Sequence, residues 1–259
     1  MAHTKMNRNQ GHWILAGMGK KALRPGGKAL TLKLIDQLHF TPRDHVTEFA
    51  PGLGYTASIV LQNGFASYTG VEQNKEAAAL LKEKINGSAG NIIVRNAAKS
   101  AIDARSMDKV YGEAMLTMQA DHRKAEIMCE AGRILKPGGL YGIHELSLTP
   151  NAISDELKSQ IQRELAQSIR VNARPITIAE WTGLLEEANF EILSIDVNPM
   201  HLLKYKRLKD DEGFFRSLKI IFNVLTHKRE RGRINEMRRV FTKYEPHLRA
   251  VAIVARKKE

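Results

Sequence analysis

The chain has one cysteine in 259 residues, Cys129. That excludes a disulfide framework and a cysteine-based metal site, and it suits a reducing compartment, so a cytoplasmic location is expected. Aromatic residues make up only 6% of the sequence. No apolar run approaches the ~18 residues of a membrane span. Met1 to Gln10 is polar and lacks an apolar h-region, so no signal peptide is expected. The histidines are scattered, without an H-E-x-x-H run or a Cys/His spacing that would hold zinc. The chain is therefore expected to bind no metal. Solenoid-length repeats and low-complexity tracts are also missing.

What the chain does have is positive charge, unevenly placed. Its formal net charge is +12 and its pI about 9.8. The last 56 residues, from Lys204, hold 17 Lys and Arg against 7 Asp and Glu. Seven more Lys and Arg precede the first acid, Asp36. Such asymmetry fits a solvated basic face, a nucleic acid or an acidic membrane surface.

The stretch that organises the chain is Val46-Thr47-Glu48-Phe49-Ala50-Pro51-Gly52-Leu53-Gly54-Tyr55-Thr56-Ala57. An apolar strand, His45 to Ala50, ends in a glycine turn, and a helix is expected from about Thr56 to Asn63. Gly52 and Gly54 can take positive φ and let a ligand lie against the backbone, with the helix N-terminus aimed at it. The loop fits the dinucleotide fingerprint G-x-G-x-x-G/A. An acid inside the strand, Glu48, argues instead for a cationic ligand, because a pyrophosphate would be repelled there. S-adenosylmethionine (SAM) carries an ammonium and a sulfonium and no phosphate.

Strand and helix signals alternate after this loop. Strands are expected at Ser67–Val71, Ile92–Val94, Asp108–Tyr111, Leu140–His144, Phe190–Val197 and Leu248–Ala255. Helices are expected at about 75–85, ending at Asn86-Gly87, and at 121–135 and 177–188, the last with a capping box at Thr177 and Glu180. Two short helices, Trp13–Lys21 and Lys28–Leu38, flank a Pro25-Gly26-Gly27 break and form an N-terminal cap over residues 1–40. Arg24 and Lys28 at that break suit either a ligand carboxylate or a helix dipole. The rest, 41–259, reads as one cofactor-binding domain with helical lids at about 150–175 and 200–245. The pattern predicts an α/β fold with a Rossmann-like, seven-stranded, mostly parallel sheet and helices on both faces.

Four motifs in this order resemble those of class I SAM-dependent methyltransferases, over about Val46 to Ala255. Glu48, Ala50, Gly52 and Gly54 resemble the glycine motif, with Ala50 for its first glycine. Glu72, 18 residues after Gly54 at the tip of the second strand, resembles the acid that accepts both ribose hydroxyls, with Gln73 beside it. Asn96-Ala97 sits where the family often has Asp-Ala next to adenine. Arg133-Ile134-Leu135-Lys136-Pro137-Gly138-Gly139 matches the turn before strand five. Gly112, ending the fourth strand, completes the expected cofactor contacts. The segment Ile178 to Phe190 resembles the branch that includes quinone and sterol C-methyltransferases.

The resemblance implies transfer of a methyl group from SAM to a small-molecule acceptor of apolar or amphipathic character. A general base is needed only where the acceptor must lose a proton. Glu113, His144, Glu145 and Tyr111 are the candidates at the carboxyl ends of strands four and five. Alternation puts His144 and Glu145 on opposite faces. The Asn/Asp-Pro-Pro-Tyr/Phe run of adenine-N6 and glutamine methyltransferases is lacking after strand four. Two other readings compete: an RNA-binding methyltransferase using the basic C-terminal third, and an NAD-dependent oxidoreductase. A homodimer and a peripheral membrane contact through Phe214 to Leu225 are compatible with the pattern.

Overall fold

The structure is a computed structural model and describes residues 10–20, 24–85, 90–200 and 205–259. Its centre is a sheet of β1 (His45–Phe49), β2 (Ser67–Val71), β3 (Gly90–Ile93), β4 (Met107–Glu113), β5 (Leu135–Leu148), β7 (Phe190–Pro199) and β8 (Leu248–Lys257), in the order β3-β2-β1-β4-β5-β8-β7. β1 to β5 pair in parallel, whereas β8 runs antiparallel to both β5 and β7. A two-residue strand the sequence reading missed, β6 (Ile176–Thr177), adds to the end of β5. The chain works outward from β1 in one direction, then returns to place β4 on its other side. That reversal opens a crevice above the ends of β1 and β4, where open α/β sheets bind ligands.

Helices cover both sheet faces because the strands alternate buried apolar groups on each side. On one face, α2 (Gly27–Gln37) lays Leu30, Leu34 and Leu38 against Val46, Tyr111 and Val254. Those leucines recur at helical spacing and are fully buried, which stabilises the fold by roughly 1.5–3 kcal/mol for each side chain. On the other face, α5 (Asp121–Ile134) and α7 (Ile178–Glu187) pack Ile127, Met128, Trp181 and Leu185 against Val110, Ile143 and Ile253. α7 starts at the expected capping box, Thr177 with Glu180.

The insertions form a third layer above the strand ends. α6 (Asp155–Ile169) packs Ile161 and Leu165 with Val240 of α10 (Lys228–Lys243) against Leu146 and Leu148. α1 (Gly11–Gly17) and α9 (Phe214–Thr226) close the other side through Ile14, Leu15, Ile220 and Met237. α8 (Tyr205–Glu212) precedes α9. The expected helix after the glycine loop is shorter than foreseen: α3 is Ala57–Val60, followed by a 3-10 turn at Leu61–Asn63. The first helix ends at Gly17, short of the expected Lys21; the stop at Asn86-Gly87 and the tail up to Asn9 lie outside the described residues.

The Lys136 to Gly139 turn sits within β5, where the pairing with β4 shifts register. Its two glycines are needed for different reasons. A Cβ on Gly139 would lie 2.9 Å from Leu135 Cδ2 and 3.0 Å from the Asp108 and Lys136 carbonyl oxygens. Gly138 has open space around it but a φ of 74°, a region asparagine tolerates. Gly139→Ala should therefore cost about 1–3 kcal/mol by overpacking, and Gly138→Asn under about 1 kcal/mol. Chemical denaturation of the two variants checks the difference.

Candidate functional site

The cleft begins where β1 ends. Ala50 leaves the strand with φ 53°, its N–H donating to the Val71 carbonyl at 2.9 Å. A left-handed residue with a Cβ costs roughly 1–2 kcal/mol, so the turn is made at that expense where the motif has glycine. Gly52 follows at φ 56° with no atom within 4 Å of where its Cβ would stand. Gly54, at φ 70°, could not carry a side chain, because a Cβ would lie 2.2 Å from Leu81 Cδ1. Lys84 of α4 (Lys75–Lys84) donates to the Leu53 and Gly54 carbonyls at 3.1 and 2.8 Å. The loop is thus fixed from below, and its upper side stays open. α3 is a single turn, so its dipole contributes less than the sequence led one to expect.

Glu72 stands at the tip of β2 and lines the cleft. One oxygen accepts from Gly52 N–H at 3.0 Å and the other from Asn74 N–H at 2.8 Å. Burial raises its pKa, and those backbone donors oppose the rise. Gln73 N–H is a third backbone donor to the carboxylate, which leaves about one of its four acceptor sites for a ligand hydroxyl. The competing role for Glu72, an acid at the start of α4, falls to Asn74, whose side chain accepts from Glu76 and Ala77 N–H.

The same cleft, of about 370 Å³, is lined by Ala50, Gln73, Asn96 and Ala97. Asn96 spends one lone pair of Oδ1 on Ala98 N–H at 2.9 Å. Gly112, expected to touch the cofactor, does not line the cleft; a Cβ there would lie 3.4 Å from Phe49 O and 3.5 Å from Met115 Cγ. The sequence reading missed Trp13, Met115, Met118, Gln119 and Asn172, which complete the walls. They fall in a short first helix and in loops without periodicity, so the only available signal was their position after β4 and α6.

Glu48 departs from its expected place. It is 1% exposed, shares the α2 face of β1 with Val46, and does not line the cleft. Tyr68 and Tyr111 both donate to its Oε2. Desolvation lifts its pKa to about 7, against the two tyrosine hydrogen bonds and the nearby Arg24 charge. It therefore presents no fixed negative charge to a cationic ligand.

The four candidate bases are likewise closed off, each with a structural task. Tyr111 is bound to Glu48, and burial holds its hydroxyl well above the usual range. Glu145 accepts from Met115, Leu116 and Thr117 N–H at 2.8–3.0 Å and from Thr117 Oγ1 at 2.7 Å. It pins the loop after β4; its pKa is raised by burial and restrained by those donors. His144 is fully buried, with Nδ1 2.7 Å from Glu113 Oε1 and Nε2 at the Pro25 carbonyl. Both ring nitrogens face acceptors, so both are engaged.

Glu113 is the hub of this second cluster. Thr31 Oγ1 donates to Oε1 at 2.6 Å and Thr56 Oγ1 donates to Oε2. Arg24 Nε lies 2.8 Å from Oε2 as an ion pair, although its N–H is not aligned on that oxygen. Burial alone would raise this carboxyl; Arg24, His144 and Thr31 outweigh it and hold the pKa at about 2. Arg24 also stacks over Tyr55, 5.2 Å from the ring centre. Its guanidinium is thus committed to the protein.

A second, apolar cavity of about 110 Å³ adjoins the cleft and shares Met118 and Val171 with it. Leu15, Ala114, Leu146, Leu165, Ile169 and Met237 are among the apolar residues of its wall. The cleft carries several polar groups among apolar ones, as ligand sites do, whereas the cavity beside it is almost wholly apolar.

Residues 47–143 match the family model described as Methyltransferase domain. The chain is a SAM-dependent methyltransferase. Over 251 residues it is 33% identical to a Haemophilus influenzae protein described as uncharacterized, covering 95% of this chain and 98% of that one, and it belongs to that protein's family. Among solved structures, the methyltransferase resembles Haemonchus contortus phosphoethanolamine N-methyltransferase 2 in complex with SAM, with a TM-score of 0.74 and 14% identity, covering 98% of this chain and 59% of that one. It also resembles a geranyl diphosphate methyltransferase in complex with its diphosphate and sinefungin, with a TM-score of 0.65 and 14% identity, covering 88% and 78%. At such identity the likeness shows the fold. The nicotinamide alternative falls to the domain match. Among the described residues no group of three His, Cys, Asp or Glu is placed to hold a metal, and no helix is long and apolar enough to cross a membrane.

Two outcomes are expected from this geometry. Glu72→Ala should weaken SAM binding at least about tenfold by removing the acceptor at the ribose position; calorimetry checks it. Glu48 holds a proton in the folded state up to about pH 7, against an ordinary 4.5. Its contribution to stability is full below pH 4.5 and falls as pH rises to 7. Glu48→Gln should flatten that slope and be more stable than the parent at pH 8 by up to about 3 kcal/mol, read by denaturation across pH.

Proposed function

We propose that the methyltransferase acts on a small apolar or amphipathic acceptor seated in the cavity beside the cofactor cleft. The observation that carries this reading is the wall shared through Met118 and Val171. It puts an apolar chamber next to the place where a cofactor held at Glu72 and Asn96 would extend. Thr117 is the one polar side chain in the cavity wall among the described residues, and its hydroxyl is already bonded to Glu145 and Leu146. A charged acceptor would be left unpaired there. The likeness of Ile178 to Phe190 to quinone and sterol C-methyltransferases supports the same acceptor class.

SAM supplies a methyl group on a positively charged sulfur, already activated toward nucleophiles. The chain's own part is to hold and orient. Glu72 accepts from the ribose, Asn96 and Ala97 meet the adenine, and the open side of Gly52 lets the ligand approach the backbone. Leu165, Ile169 and Met237 exclude water and bring the acceptor into line, so catalysis is chiefly positional. With Glu113, His144, Glu145 and Tyr111 all engaged elsewhere, the acceptor brings a nucleophile that needs no protein base.

Ile169→Trp tests this directly, since the larger ring fills the cavity without touching Glu72. Methyl transfer to apolar acceptors should fall more than about tenfold while SAM affinity stays within about twofold. Undiminished transfer, or equal loss of both, would sink the assignment of the cavity.

A further inference from the structure

α9 has two apolar sides, and the fold uses one. Ile220 packs inward against Ile14, Leu15 and Met18, with Val224 beside it, and Asn223 donates to the Met18 carbonyl at 3.0 Å. The opposite side carries Phe215, Leu218, Phe222 and Leu225, which are 85%, 50%, 66% and 56% exposed. Their spacing of three, four and three residues puts all four on one stripe of the helix. Solvated helices present charge outward, so an exposed apolar row of this size marks a contact surface.

The charges around the stripe say which partner. Lys219 and Arg216 border it on α9, and Lys228 and Arg229 follow at the start of α10; all four are exposed. From Phe214 to Lys243 there are nine Lys and Arg against two Glu. An apolar centre with a cationic margin fits the interface of an anionic bilayer, where rings enter the acyl region and cations meet headgroups. A second copy would bring the same cations face to face across a two-fold axis. RNA would want the cations central and the rings spaced for stacking.

We propose that α9 seats the methyltransferase on an anionic lipid surface, with Phe215, Leu218, Phe222 and Leu225 inserted and Arg216, Lys219 and Lys228 against the headgroups. This goes beyond the acceptor reading and does not depend on it. The two are adjacent in space, however. Leu15 and Met237, which pack with Ile220 behind α9, also line the apolar cavity. A docked α9 leaves that cavity one helix away from lipid.

The test is cosedimentation of the full chain with phosphatidylcholine vesicles, with and without one-third phosphatidylglycerol. The parent should bind the anionic vesicles, weakly at high salt, and leave the neutral ones in solution. Phe222→Ser/Leu225→Ser and Lys219→Glu/Lys228→Glu should each lose more than about tenfold in partition. Both should keep the parent's thermal midpoint and SAM affinity, since these side chains are exposed and line neither chamber. The proposal is overturned if the parent ignores anionic vesicles or binds neutral ones equally. It is equally overturned if the serine variant binds anionic vesicles like the parent. Two further results count against it: a parent dimer that the serine variant dissolves without any vesicle binding, and a salt-sensitive RNA complex that it abolishes.

Discussion

One buried carboxylate ties this structure together. Glu113 ends β4 at the point where the strand order reverses, and four segments converge on it. Arg24 comes from the N-terminal segment, Thr31 from α2, Thr56 from behind the glycine loop and His144 from β5. His144 then reaches the Pro25 carbonyl, so the segment before α2 is held twice. Without partners such a group would not stay ionised in the interior. With them its pKa is held at about 2, and it fixes the relative positions of everything around the crevice. Removing one member of such a buried pair commonly costs about 3–5 kcal/mol, because the remaining charge is stranded.

The consequence reaches both chambers. Trp13 of the N-terminal segment walls the cofactor cleft, and Leu15 and Pro25 wall the apolar cavity. Their placement depends on the grip at Arg24 and Pro25. Glu48, one strand over on the same face, illustrates the opposite regime. It has tyrosine donors and only a distant cation, and burial lifts it to about 7. Two carboxylates in neighbouring strands are thus driven apart by their partners, Arg24 first among them. Neither is free to take a proton from a substrate.

The fold was legible in the sequence because its signals are periodic and local. β1, β2 and β4 are short apolar runs, Leu30, Leu34 and Leu38 lie at helical spacing, and the capping box at Thr177 is a pattern of two residues. Glu72 was legible because strand, loop and spacing all pointed to the same tip. The bases were misread for a physical reason. A polar residue at a strand end looks the same in sequence whether it faces a ligand or a buried arginine. What decides is whether a segment distant in sequence covers it, and Arg24 lies 89 residues before Glu113. Glu145 is closed by the loop directly after β4, whose hydrogen bonds have no sequence signature. Met115 and Met118 in the walls carry no chemistry and no periodicity, so nothing in the sequence marks them, whereas Leu165 and Ile169 lie at helical spacing on a lid helix.

That blind spot has an explanation in the chemistry itself. A sulfonium methyl needs no further activation by the protein, so a site can work by holding two molecules in line and dry. Its determinants are then shape and hydrophobicity. In the proposed reading they come from α1, α6 and α10, with Ala114 and Leu146 at the ends of β4 and β5, while the cofactor side would be built from β1, β2 and the loops that follow them. Changes in the lids alter the cavity without disturbing Glu72 or the glycine loop. Solved structures with this fold accordingly carry names as different as phosphoethanolamine and geranyl diphosphate methyltransferase. The cofactor motifs have fixed spacing in the sequence, whereas the proposed acceptor wall lies in the packing of helices, as Leu165 and Met237 supply it.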